Sequence, residues 1–283
     1  SRPPLPETIR QLDTSRLASM TPGPHRDVAC SRRALKDVEH GVRQGFVRKV
    51  YGILSAQLLL TVAVASQIFI MSEHQRRQSE GIQLIAFVAL LVTMLVMYCR
   101  PTLLRRHPWN YGFLFLLTLG MSVTVGFASA MYTWQSVACA AGVTAGIFAG
   151  MTIVAWTTKV DVTGYGMYLL AGMMALSCFS LMICVMCLTV GAAKVEWVIL
   201  FYDFCAVLLL TLYVVYDTQL MLGGGHAMQL SVDDYCFAAL NLYVDVIDLF
   251  LHLLSLLGER GGEGRSGPRA AGRPRTRVVG LAQ

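Results

Sequence analysis

Met167-Tyr-Leu-Leu-Ala-Gly-Met-Met-Ala-Leu-Ser-Cys-Phe-Ser-Leu-Met-Ile-Cys-Val-Met-Cys-Leu-Thr-Val190 contains no acid, no base and no histidine. The hydrocarbon core of a bilayer is about 30 Å thick, and a helix of about 20 apolar residues crosses it. An uncharged run of this length reads as a membrane span, because a helix satisfies all of its own backbone polar groups in lipid. Working outward, the same reading gives Val50–Met71, Ile82–Tyr98, Tyr111–Met131, Trp134–Trp156, Trp197–Leu222 and Cys236–Leu257. A single run could be the core helix of a large soluble protein. Here almost no polar sequence separates the runs, and 55% of the 283 residues are apolar against 14% charged. The chain is expected to be an all-α polytopic membrane protein with seven transmembrane helices.

The charge lies in the tails. Residues 1–49 hold ten Lys and Arg and residues 258–283 hold six, out of 23 in a chain of net charge +6. No basic face alternates with aromatics on a folded scaffold, so no nucleic-acid partner is expected. Arg43, Arg48 and Lys49 abut the first span and place the N-terminus in the cytosol by the positive-inside rule. Arg100, Arg105 and Arg106 agree, lying on the same side after two spans. The arginine-bearing C-terminal tail disagrees, since a seventh crossing puts it opposite; crossing is the expectation nonetheless. The domain boundaries follow: residues 1–45 a disordered cytosolic tail with five of the nine prolines, residues 46–257 the transmembrane domain, residues 258–283 a disordered Gly/Arg-rich tail. No signal peptide opens the sequence, so Val50–Met71 is expected to act as the targeting segment. Gly142, Gly146 and Gly150 recur every four residues, a spacing that predicts close helix packing. Cys184-Val-Met-Cys187 has metal or redox spacing, but inside a span it reads as small apolar packing.

Acid is confined to the last two spans. On the seventh, Asn241, Asp245, Asp248 and His252 fall at about 0°, 40°, −20° and 20° around the helix, with Ser255 at about −40°. This narrow stripe predicts a buried or pore-lining face; an interfacial helix would carry a wide basic one. Carboxylates in a bilayer are costly, about 2.5–3.5 kcal/mol at mid-helix on insertion scales, and are functional sites by default. On the sixth span Asp203 sits near an end, where it is expected to be solvated. Asp217, about 21 Å further along, can meet Asp245 if the two helices are antiparallel neighbours. Two carboxylates in contact do not both ionise cheaply, so the pair is expected to share a proton. Deprotonated, with Asn241 near, the same oxygens suit Ca2+. Asp217 and Asp245 are therefore the candidate proton-sensing pair and metal ligands, and Asn241, Asp248 and His252 the candidate pore-lining or cation-binding residues.

Several segments resemble a known family. Phe46-Val-Arg-Lys-Val-Tyr51 with Gln57-Leu-Leu-Leu-Thr61 is similar to the opening signature of the transmembrane Bax inhibitor motif family, Lifeguard branch. Thr158-Lys-Val-Asp-Val-Thr163 resembles its Lys-x-Asp-Phe-Thr element. Tyr216-Asp-Thr-Gln-Leu-Met-Leu-Gly-Gly224 resembles its Tyr/Phe-Asp-Thr-Gln…Gly-Gly motif, and Asp234-Tyr followed by Ala238-Ala-Leu-Asn-Leu-Tyr-Val-Asp-Val-Ile-Asp-Leu-Phe250 its closing helix. The resemblance implies two three-helix layers around a central C-terminal helix, with Asp217 and Asp245 as the sensing pair. It implies a pH-sensitive Ca2+ leak that protects from cell death, in the endoplasmic reticulum, the Golgi or the plasma membrane. It also implies membrane-protein partners in cell-death control, a monomer, and no cofactor beyond Ca2+ as permeant or bound ion. Four features depart from the family: Asp248 where Asn is usual, Asp203 at a typically uncharged position, an uncharged second span, and the arginine-rich C-terminal tail.

Other functions fit less well. An intramembrane aspartyl protease also carries Tyr-Asp and Asp on consecutive spans, but it has Gly-x-Gly before the second aspartate, where Tyr243-Val244 stands here, and a later Pro-Ala-Leu. A seven-span receptor lacks support, because Asp-Arg-Tyr and an Asn-Pro in the seventh span are missing. No enzymatic activity is expected. A non-conducting anti-death scaffold acting through partners remains the alternative to a channel.

Overall fold

A computed structural model describes residues 24–99, 109–191, 194–222 and 235–259. Every element in these residues is helical: α1 (Pro24–Ile70), α2 (Glu73–Gln78), α3 (Glu80–Cys99), α4 (Trp109–Ser129), α5 (Trp134–Thr157), a 3-10 turn (Thr163–Tyr165), α6 (Gly166–Val190), α7 (Glu196–Leu222) and α8 (Tyr235–Leu257). Among the described residues six helices are long and apolar enough to cross a membrane: the 43–70 part of α1, α4, α5, the 163–190 segment with α6, α7 and α8. The expected second span falls in α3, where the apolar stretch is the shorter Gly81–Val96. Helical backbone begins at Pro24, well ahead of the Phe46 at which the transmembrane domain is expected to open. The arginines of the 100–106 loop, Gly223, Gly224, Asp234 and residues 260–283 lie outside the described residues.

The chain divides into two compact units, residues 1–48 and 49–283. In the first, the Arg43 guanidinium lies over the Phe46 ring, 5.9 Å from its centroid. The second holds the helical core. There α8 has the most buried sequence of the six candidate spans and packs on α4, α5 and α7, the α7 contact being the most extensive among the described residues. Its buried positions include Leu242, Tyr243, Val246, Leu249 and Leu253, the apolar register left by the polar stripe. By contrast α6 buries only Leu169 and Ile183 and shows lipid an apolar surface.

Small residues matter where backbones approach. A Cβ on Gly126 of α4 would lie 3.1 Å from the Ala65 Cα and 2.8 Å from Ile68 Cδ1 of α1, so only glycine lets the two helices come this close. The Gly142, Gly146 and Gly150 row departs from expectation. All three are exposed, and a Cβ on any of them would meet nothing within 4 Å. The spacing permits close approach, but among the described residues no helix lies against that face.

Polar contacts gather the helix ends into two sets. In one, Lys49 Nζ sits 5.5 Å from the Tyr235 ring centroid, and the Tyr235 and Tyr111 hydroxyls are 3.1 Å apart. In the other, Arg76 Nη1 donates to the Ala130 carbonyl at 2.8 Å. There too the Thr133 amide donates to the Glu259 carbonyl at 3.0 Å, and the Glu259 amide to Ser136 Oγ at 2.9 Å. Between the two sets a buried ladder ties α1, α4 and α8: Gln57 Nε2 donates to Thr118 Oγ1 at 2.9 Å, and the Thr61 hydroxyl pairs with that of Tyr243 at 2.8 Å.

Candidate functional site

Helices α7 and α8 pack antiparallel, as interactions at two levels along their length show. Near the start of α7, Asp203 meets His252 and Ser255 near the end of α8. Near the end of α7, Asp217 lies close enough to Asp245, in the first half of α8, for its charge to act there. With about 100° and 1.5 Å per residue, the α8 stripe lays one narrow face along α7, so each polar side chain reaches a different level of the interface.

Asp217 and Asp245 are each 8% exposed, which makes both effectively buried carboxyls. Asp245 also lies within the field of Asp248, and Tyr213, one turn before Asp217, feels both members of the pair. Asp245 Oδ2 is buried without a hydrogen-bond partner. Neither α7 nor α8 contains a Lys or Arg, so no fixed cation on these helices neutralises the pair. Asn241 stands one turn before Asp245 and is half-buried, as is Asp248, which lies between Asp245 and His252 and feels the charge of His252.

At the other end the expected solvated Asp203 is corrected. It is 4% exposed and both of its oxygens are engaged: His252 Nδ1 lies 2.8 Å from Oδ1, and Ser255 Oγ donates to Oδ2. The Tyr202 ring stands edge-on to the His252 imidazole at 5.4 Å and stacks on Phe179 at 6.4 Å. His252, grouped by sequence with the pore-lining residues, is held to Asp203 of α7 rather than left free along the stripe. Asp203 lies two turns inside α7, and an antiparallel partner brings it a histidine and a serine that the sequence cannot pair with it.

A second missed residue is Gln219, which is fully buried. Its side chain behaves as a strand edge towards the segment between α5 and α6: Nε2 donates to the Val160 carbonyl at 2.9 Å, and Oε1 accepts from the Val162 amide at 2.8 Å. Within that segment Asp161 Oδ1 accepts from the Thr163 amide at 2.9 Å and the Thr163 hydroxyl at 2.5 Å, an Asx-type turn. The Tyr216 hydroxyl fills the space over Gly166, where a Cβ would lie 2.8 Å from it. The Thr158–Thr163 and Tyr216–Gln219 motifs, far apart in sequence, thus touch each other, and their joint resemblance to one family was the signal available beforehand.

Among the described residues no three His, Cys, Asp or Glu side chains converge as a resident metal centre. Two carboxylates offer at most four oxygens, fewer than the six to eight that Ca2+ takes.

Residues 43–262 match the family model described as inhibitor of apoptosis-promoting Bax1. Protein lifeguard 3 of Homo sapiens is 34% identical over 223 residues, covering 77% of this chain and 70% of that protein. Protein lifeguard 3 of Mus musculus is 32% identical over 225 residues, again 77% and 70%. Protein LIFEGUARD 4 of Arabidopsis thaliana is 30% identical over 222 residues, 76% of this chain and 85% of that one.

Proposed function

Because this multi-pass membrane protein belongs to the Bax inhibitor family, with lifeguard proteins among its relatives, we propose that it is a pH-sensitive calcium leak channel that restrains cell death. The observation that carries the reading is the buried Asp217 and Asp245 pair, two carboxyls in each other's field with no lysine or arginine on either helix. Before its last proton leaves, the pair holds one proton between its two carboxyls. As pH rises the proton leaves, the pair becomes doubly charged, and its oxygens become available to Ca2+. Proton and cation compete for the same atoms, so acid weakens Ca2+ binding there. Asp248 adds negative field along the path.

The reading includes seven crossings with a cytosolic N-terminus, in an endoplasmic reticulum, Golgi or plasma membrane. It is supported by the end contacts: the chain meets one set at Lys49, the other at Arg76, the first again at Tyr111, and the second again at Glu259. No enzymatic step and no cofactor enter it. Reconstitution of the full chain in liposomes holding a Ca2+ dye tests the function. The expected result is Ca2+ flux that varies with pH over roughly 6 to 8; lipid-like impermeability at every pH would favour the scaffold.

A further inference from the structure

We propose that the hydroxyls of Tyr51, Thr152 and Thr218 form a binding site for a single water molecule that ties α1 to α5 and α7. The inference goes beyond the channel reading and does not depend on it.

Three helices bring these side chains together: Tyr51 comes from α1, Thr152 from α5 and Thr218 from α7. The Tyr51 hydroxyl lies close enough to both threonine hydroxyls for each to act on it. Yet all three oxygens are buried, and none has a partner at hydrogen-bonding length and angle among the described residues. They are neighbours that do not bond, so their donors and acceptors are left over. The two threonines stand apart from the rest in this. Within the described α-helices every other threonine, Thr144 of α5 and Thr211 of α7 among them, turns its hydroxyl back to the carbonyl four residues earlier. Thr152 and Thr218 forgo that bond and face Tyr51 instead. The phenol is held in place by Phe148, one turn before Thr152, whose ring centroid is 6.4 Å from that of Tyr51 at an interplanar angle of 52°. Thr218 itself is wholly buried.

A buried hydroxyl left unpaired forfeits the bonds it would make to water, and native structures rarely accept this. Three such groups at one place are what a buried water satisfies, since it makes about three hydrogen bonds to polar groups that otherwise lack partners. Each hydroxyl can donate one bond and accept two, so any assignment of the water's two donors and two acceptors can be met. A cation fits poorly, because three neutral oxygens fall well short of the six to eight that a hard divalent ion takes. Thr218 follows Asp217 but points about 100° away from it around α7, so the acid pair contributes no side chain to this site. An anion would meet no positive charge among the three groups. The ligand is therefore neutral and small.

The test is a crystallographic map of the full chain at a resolution that shows ordered water, joined to thermal midpoints of variants in detergent. A peak within hydrogen-bonding distance of the three oxygens is expected in the wild type and should be lost in Thr218→Val. A map that shows no such peak, or hydroxyls bonded directly to one another, would overturn the proposal. So would anomalous scattering at the peak after K+ is exchanged for Tl+, because the ligand would then be a cation. Tyr51→Phe, Thr152→Val and Thr218→Val each keep the shape and remove one bond to the water, so each should lower the midpoint by about 2–4 °C. Thr218→Ser keeps the hydroxyl and should retain most of the midpoint. Tyr51→Phe combined with Thr218→Val should cost less than the two losses added, because both act on one water. Midpoints that rise in the single variants would show that the hydroxyls are truly orphaned, since removing an unpaired buried polar group is neutral or favourable, and there would be no water site.

Discussion

A buried carboxylate is tolerated in lipid only through its immediate partners, and the four aspartates of α7 and α8 meet this requirement in different ways. Asp203 is bonded by His252 and Ser255. Removing one partner of a buried pair leaves an uncompensated charge, typically about 3–5 kcal/mol destabilising. His252→Leu should therefore lower the unfolding midpoint in detergent clearly, and Asp203→Leu added to it should recover most of the loss. Equal, additive losses would show that the pair contributes nothing as a pair. Asp217 and Asp245 lack such a cation. Asparagine at either position keeps the volume but cannot titrate, so the pH dependence of Ca2+ flux should be nearly flat in Asp217→Asn and in Asp245→Asn. An unchanged profile in both would remove the acid pair from the mechanism. Asp248 lies one turn beyond Asp245, so Asp248→Asn should reduce flux a few-fold through the lost field and leave the pH response in place.

At the scale of elements, hydrophobic drive between helices is weak in lipid, and close backbone approach takes its place. The α1–α4 crossing depends on this at Gly126, whose missing Cβ leaves room for the Ala65 main chain. A backbone neighbour cannot swing aside as a side chain can. Gly126→Leu should thus cost about 1–3 kcal/mol by overpacking, read as a lower thermal midpoint, while Gly146→Leu, facing open space, should leave it unchanged. In sequence Gly142, Gly146 and Gly150 carry the four-residue spacing, whereas Gly126 stands outside any such glycine row. Spacing marks residues able to pack closely, but only the neighbouring helix decides which row is used. The α8 stripe was legible for the opposite reason: its period is intrinsic to the helix, so Asn241, Asp245, Asp248 and His252 share a face whatever lies opposite.

At the scale of the molecule, the contact sets at the helix ends make a topological prediction. Epitope tags at the two termini of the full chain should respond oppositely to protease added from the cytosolic side, the N-terminal tag being cut and the C-terminal one protected. If both are cut, α8 does not cross and the arginine-rich tail obeys the positive-inside rule after all. Composition and run length by themselves determined the all-helical class and six of the seven expected spans, because an uncharged stretch of about 20 residues has few other fates than a membrane helix. The same local logic determined the face of α8 and singled out Asp217 and Asp245 as costly groups in need of a partner. Only the tertiary structure decided that partner for each acid. Antiparallel packing of α7 on α8 puts Asp203 beside His252, sets Asp217 within the field of Asp245, and turns Gln219 towards the segment between α5 and α6. Those pairings join residues up to 59 positions apart, and helical periodicity carries no information about which helices become neighbours or at what level they align.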